Sequence, residues 1–113
     1  MHEFALVDNI FQILNMKIRE LQLKKIFQVK LVIGDMTVVE EMTLAACFEA
    51  FAKDTVAEGA QVVFARVPVR GKCRQCGQVF RVGNYNFTCP ECGNKAVEVI
   101  SGRELYIESL LAE

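Results

Sequence analysis

Cys73-Arg74-Gln75-Cys76-Gly77 and Cys89-Pro90-Glu91-Cys92-Gly93 form the stretch that decides how this chain of 113 residues folds. Two thiols spaced by two residues reach one ion when the backbone turns back on itself. Two such pairs close a tetrahedral shell with metal–sulfur distances of about 2.3 Å. A glycine directly after the second cysteine of each pair suits that turn, because it takes positive φ without steric cost. Twelve residues lie between the pairs, room for a short hairpin with one pair at each end. The spacing reads as a structural zinc site on Cys73, Cys76, Cys89 and Cys92. Disulfides, a redox dithiol or a rubredoxin-like iron centre would use the same residues, but nothing else in the sequence points to an oxidising compartment. Four thiolate ligands leave no open position for a substrate, so the ion is expected to hold the fold and not to catalyse.

Working outward, Gln61 to Val69 before the cysteines reads as a strand checked by Pro68, and Arg103 to Leu110 after Ser101-Gly102 as another, with Leu105 and Ile107 on one face. Further upstream, Phe27, Val29, Leu31 and Ile33 alternate with Gln28, Lys30 and Val32 up to Gly34, which predicts a strand. Phe4, Val7, Phe11, Leu14, Ile18 and Leu21 recur in steps of three and four, the mark of an amphipathic helix over about 3–23. Thr37 followed by Glu40 resembles a capping box opening a second helix through Met42, Leu44, Cys47, Phe48 and Phe51. The strand–helix–strand run is long enough for parallel pairing. The two strands that flank the cysteines are expected to pair as an antiparallel hairpin with the metal at its tip. The predicted class is α+β: a small mixed three-stranded sheet with two helices, plus an inserted zinc-ribbon-like module. That gives a domain of 1–69 with 103–113, and a zinc-binding module over 70–102.

Composition narrows the function. The formal charge is −1, and four thiolates with one Zn²⁺ would take it to −3. A near-neutral chain argues against general nucleic-acid binding, whose footprint is a strongly basic domain. No apolar run approaches the ~20 residues that span a bilayer. An acidic residue at position 3 and no Lys or Arg before Lys17 do not make a secretory signal. These features predict a cytoplasmic protein with no membrane association. There is no nucleophile–base pairing, no phosphate loop and no catalytic carboxylate pair, and with a single histidine the chain does not read as an enzyme.

That histidine is His2. At such a position an imidazole is commonly just solvated, and Glu3 is a favourable acid in a first helical turn. The same residues also have chelate chemistry. The α-amine of Met1, the backbone nitrogen of His2 and its imidazole close two adjacent rings around one ion, with Glu3 able to supply a fourth donor. Planar nitrogen donors suit Ni²⁺ or Cu²⁺. First-turn amides have no intrahelical acceptor, so ligating them sacrifices no helix hydrogen bond.

Met1-His2-Glu3, Ile33-Gly34-Asp35-Met36, Val39-Glu40, Glu58-Gly59-Ala60, the two cysteine pairs and Gly102-Arg103-Glu104-Leu105 together resemble the HypA/HybF family, nickel-delivery proteins of NiFe-hydrogenase maturation. The resemblance runs the length of the chain in the same order. It implies an exchangeable Ni(II) site at Met1, His2 and Glu3 and a structural Zn(II) site at the four cysteines. It also implies a maturation GTPase (HypB-type) and a hydrogenase large-subunit precursor as partners. Asp54-Thr55 stands where the family usually has Gly-Thr.

Two features fall outside that pattern. Cys47, beside Leu44, Phe48 and Phe51, reads as a small buried hydrophobe. Arg66, Arg70, Lys72, Arg74 and Arg81 form a basic stretch with no acid among them. Part of that charge offsets the thiolates, yet with Phe80, Tyr85 and Phe87 nearby it could contact an anionic partner, which leaves a zinc ribbon that binds nucleic acid as an alternative to a metallochaperone. A rubredoxin-like electron carrier built on the four cysteines is the other.

Overall fold

The computed structural model describes residues 2–113, apart from the side chain of His2. Helix α1 spans His2–Leu21, strand β1 Ile26–Gly34, helix α2 Glu41–Ala52 and strand β2 Gln61–Val67. Four strands follow: β3 Arg70–Cys73, β4 Val79–Arg81, β5 Val97–Ser101 and β6 Leu105–Ala112. They form two three-stranded sheets, ordered β2-β1-β6 and β4-β3-β5. The fold is thus α+β with two helices, and the cysteine segment builds a sheet of its own. Among the described residues no helix is long and apolar enough to cross a membrane. The chain gathers into two compact units. One runs up to Val32 and includes Val38–Ala65 and Tyr106–Glu113; the other comprises Ile33–Thr37 and Arg66–Leu105.

In the first unit α1 packs on α2. The Phe11 ring lies 4.9 Å from that of Phe48, and Phe4 stands edge-on to Phe51 at 5.1 Å. Val7, Ile10, Phe11 and Leu14 are buried with Leu44, Phe48 and Ala52, whereas Phe4 and Leu21 at the ends of the predicted stripe are exposed. Steps of three and four drift around a helix of 3.6 residues per turn, so only the middle of a 20-residue stripe faces the core, and Ile10 joins it there.

The second helix starts at Glu41, three residues later than a capping box on Thr37 requires. Residues 34–37 form a turn in which the Thr37 N–H donates to Gly34 O at 3.0 Å. Glu40 is the N-cap instead, its Oε1 accepting from the Met42 N–H at 3.2 Å. Past α2, Asp54 sits at φ +63°. Asp tolerates this left-handed region through its short polar side chain. Next to it the Thr55 hydroxyl donates to Ala52 O at 2.6 Å and accepts from the Ala57 N–H at 3.1 Å. Asp-Thr thereby closes the turn that Gly-Thr was expected to make.

The pairing expected between the strands flanking the cysteines does not occur: β1 lies between β2 and β6. Leu31, Val32 and Ile33 are all buried, while β2 and β6 carry partly exposed patterns. A strand apolar on both faces takes the centre of a sheet. Lys25 and Glu113 exchange backbone hydrogen bonds, and Lys30 pairs with Glu108 at 3.4 Å, so β6 runs antiparallel to β1. At the end of β1 the Asp35 N–H donates to Val67 O at 2.8 Å, as a parallel pair joined by a helical crossover requires.

In the second unit the two glycine-containing motifs meet. A Cβ on Gly34 would lie 2.1 Å from Gly102 C and O, so the backbones approach as only glycine permits. The Gly34 N–H donates to Glu104 O and the Met36 N–H to Gly102 O, each at 2.8 Å, and Arg66 Nε donates to Asp35 Oδ1 at 3.1 Å. Strand β3 pairs antiparallel with both β4 and β5. The first cysteine pair is therefore the turn of the β3–β4 hairpin, and the expected hairpin strung between the two pairs is not formed.

Candidate metal centre

Each cysteine pair sits on the same loop. In the first, the Gly77 N–H donates to Cys73 O and the Cys73 N–H to Gln78 O; in the second, the Gly93 N–H donates to Cys89 O and the Cys89 N–H to Asn94 O, all four at 2.9 Å. Gly77 and Gly93 take φ of +78° and +75°, and a Cβ at either would meet nothing within 4 Å. The requirement for glycine is thus one of backbone conformation and not of space. The Asn94 amide donates to Gln75 Oε1, tying one loop to the other.

The loops bring all four sulfurs within 4.8 Å of one another. Cys73 and Cys89 are buried, Cys76 and Cys92 exposed. Each buried sulfur faces the exposed one of the opposite loop, with Cys73 Sγ 3.5 Å from Cys92 Sγ and Cys76 Sγ 3.6 Å from Cys89 Sγ. Those separations are close to the ~3.8 Å edge of a tetrahedron with 2.3 Å metal–sulfur bonds. All the cysteines are free thiols.

Electrostatics shows what charge the cluster calls for. The Cys76 N–H, 3.5 Å from Cys73 Sγ, is the chief cause holding the Cys73 thiol down to about 6, against the opposing effect of burial. At Cys92 the Asn94 N–H favours the thiolate, but Cys73, burial and the other two thiols outweigh it and push the group up to about 12. Cys76 is also raised. Four thiolates this close cannot all ionise unless a cation stands among them, and a bound metal deprotonates its thiol ligands. Donor set, spacing and charge all fit a tetrahedral thiolate-bound ion of the zinc type.

The other expected ligands are less completely described. Met1 and the side chain of His2 lie outside the described residues. Glu3 lies in the first turn of α1, and its Oε2 accepts from the Glu40 N–H at 3.3 Å. The carboxylate is thereby linked to the N-cap of α2. No local reading of the sequence contains this link, which joins residues 37 positions apart; what was misread locally is the cap, where Glu40 was assigned to the wrong position. The adjoining β-branched Val38 and Val39, poor helix formers, were the available signal. Cys47 is half-buried on α2, remote in sequence from the cluster and outside it.

A family model described as hydrogenase/urease nickel incorporation, metallochaperone, HypA matches residues 1–112. The chain belongs to the HypA family. Among its relatives is the hydrogenase maturation factor HypA of Desulfitobacterium hafniense, 38% identical over 113 residues, which cover 100% of this chain and 99% of that protein. That of Caldanaerobacter subterraneus is also 38% identical, with complete coverage of both chains. The fold agrees with the solution structure of a HypA protein at a TM-score of 0.76 and 24% identity, over 100% of this chain and 97% of that one. It also resembles the solution structure of the Ni metallochaperone HypA from Helicobacter pylori, at a TM-score of 0.68 and 21% identity, over 97% and 96% of the two chains. This member of the HypA family is thus a nickel-incorporation metallochaperone by family, with a four-cysteine metal site.

Proposed function

We propose that this protein carries Ni(II) at Met1, His2 and Glu3 and delivers it for the maturation of a NiFe-hydrogenase, while Zn(II) on Cys73, Cys76, Cys89 and Cys92 keeps the unit that contains them folded. The observation that carries the reading is the family match over 1–112, joined to the chelating order of amine, amide and imidazole in Met1-His2-Glu3. Two features support it. First-turn amides of α1 have no intrahelical acceptor, and the Glu3 carboxylate is linked to the α2 cap. A site of few donors releases its ion one bond at a time, as a carrier must. The zinc, when bound, supplies no catalysis; it neutralises the thiolates and links the two loops. The domain division proposed is a nickel-binding α+β domain of 1–69 with 103–113, and a zinc-binding module over 70–102.

The partners that fit are a maturation GTPase of the HypB type and the hydrogenase large-subunit precursor. The place of work proposed is the cytoplasm, where thiols stay reduced and available to metal. The role is that of a carrier and not of a catalyst. A nickel titration of His2→Ala against the unaltered protein tests this reading. Loss of nickel binding with zinc content unchanged is expected; a variant that binds nickel as well as the unaltered chain would refute it.

A further inference from the structure

The sheet β4-β3-β5 has two unlike faces. Gly71 and Cys73 are buried on one, while Arg70 and Lys72 point the other way and are exposed. Register places Arg81 directly opposite Arg70, Val79 and Glu98 opposite Lys72, and Ser101 opposite Arg70. Val79, opposite Lys72, is exposed, and so is Ile100, which falls in the register irregularity of β5 between the partners of Gly71 and Arg70. Like charges directly opposite across a strand pair repel, yet Arg70 and Arg81 face each other. Among the described residues no carboxylate stands within ion-pair distance of Arg70, Lys72, Arg74 or Arg81.

Compensation of the thiolates does not account for this arginine pair. Arg70 is three residues along β3 from Cys73, about 10 Å at the rise of a strand and beyond the screening length of about 8 Å at physiological salt. Charge is also divided between the units. Residues 33–37 and 66–105 hold seven Lys or Arg against four Asp or Glu, a formal +3 that becomes +1 with four thiolates and a zinc ion, whereas the rest of the chain has six against ten. Next to the face, a recess of ≈ 520 Å³ is lined by Lys72, Arg74, Gln75 and Glu98 among others.

We infer that this face docks an acidic polypeptide segment of a partner protein, whose carboxylates bridge Arg70 and Arg81 and whose apolar side chains rest on Val79 and Ile100. Arginine pairs carboxylates in a bidentate fork, and one carboxylate between two opposed guanidinium groups removes their repulsion. Nucleic acid fits less well. Single strands are held by stacking on aromatic side chains as well as by charge, whereas the exposed large hydrophobic residues within β3, β4 and β5 are Val79 and Ile100, the exposed Tyr85 lying in the loop beyond β4. This docking role is independent of the nickel site.

The test uses the full, zinc-loaded, isotope-labelled chain. It is titrated with the capped peptide Glu-Leu-Glu-Asp-Leu-Glu and, separately, with a ten-nucleotide oligothymidine. The peptide is expected to give saturable amide shifts at residues 70–72, 79–81 and 98–101 that weaken as salt is raised. Arg81→Glu, which places an acid opposite Arg70, should raise the thermal midpoint while weakening peptide binding at least tenfold, with zinc content unchanged. If that variant does not fold, Arg70→Gln with Arg81→Gln carries the binding test, with the same tenfold loss expected. No saturable shift on this face, tighter binding of the oligonucleotide there, or undiminished peptide binding by the variants would overturn the proposal.

Discussion

Gly34 shows how one residue fixes a local architecture. Its missing side chain lets β1 end against the Gly102 carbonyl, and a Cβ there would sit 2.1 Å from backbone atoms that have no flexible end to move. Gly34→Ala should therefore destabilise the protein by about 1–3 kcal/mol or more, the range for overpacking a tight site. Chemical denaturation with an unchanged slope and a lower midpoint would show it. At Phe48, which is 1% exposed and touches the Phe11 ring, truncation to Ala should cost about 3–5 kcal/mol, while Met42→Ala at an 81% exposed position should lie within about 0.5 kcal/mol of the parent. Equal losses at the two positions would contradict the assignment of the core. The cysteines obey the same residue-scale logic. Cys73 and Cys92 are driven in opposite directions, to about 6 and about 12, because the N–H groups around one outweigh what opposes ionisation, and at the other the neighbouring thiols prevail.

Among the elements, the two cysteine loops and the sheet they carry form, on the proposed function, a unit whose stability should be tied to the metal. Binding to such sites is worth about 10–16 kcal/mol at neutral pH and appears as folding free energy. Cys73→Ser or Cys92→Ser should abolish amide protection in β3, β4 and β5 and leave α1, α2 and β1 protected, since the buried stripe of Val7, Leu14, Leu44 and Phe48 does not depend on the ion. Hydrogen exchange that collapses in both units together would contradict this division. The elements also show how far the sequence could be read. Both helices, three of the strands and the metal loops were legible, because periodicity and the Cys-x-x-Cys-Gly spacing are local signals. The parallel neighbourhood of β1 and β2 was legible from the helical crossover between them, but the place of β6 beside β1 was not. Alternation assigned Val32 to a solvent face, and the uninterrupted Leu31-Val32-Ile33 run, the mark of a central strand, was read as part of that alternation. The link between Glu3 and Glu40 joins residues 37 positions apart, and no window of local sequence contains it.

At the scale of the whole molecule, the proposed function gives the protein one metal that folds it and another that it carries. Their responses to pH should differ. The amine and imidazole donors must be deprotonated to bind nickel, and an amide donor gives up its proton only to the ion, so affinity should fall as pH drops through the ordinary pKa values of the first two. With about 6.5 for histidine and 7.7–8.0 for an α-amine, the loss should occur between about pH 8 and pH 6. Thiolates held by zinc resist protonation well below the free thiol range, and the folded unit should persist through that window. Far-ultraviolet circular dichroism recorded alongside nickel occupancy would show release without unfolding. The most direct test is a metal count on one preparation whose amino terminus is either free or acetylated, since acetylation removes the Met1 amine and alters no side chain. One tightly held zinc is expected in both forms and one exchangeable nickel only in the free form; nickel bound equally by the acetylated protein would contradict the proposed site.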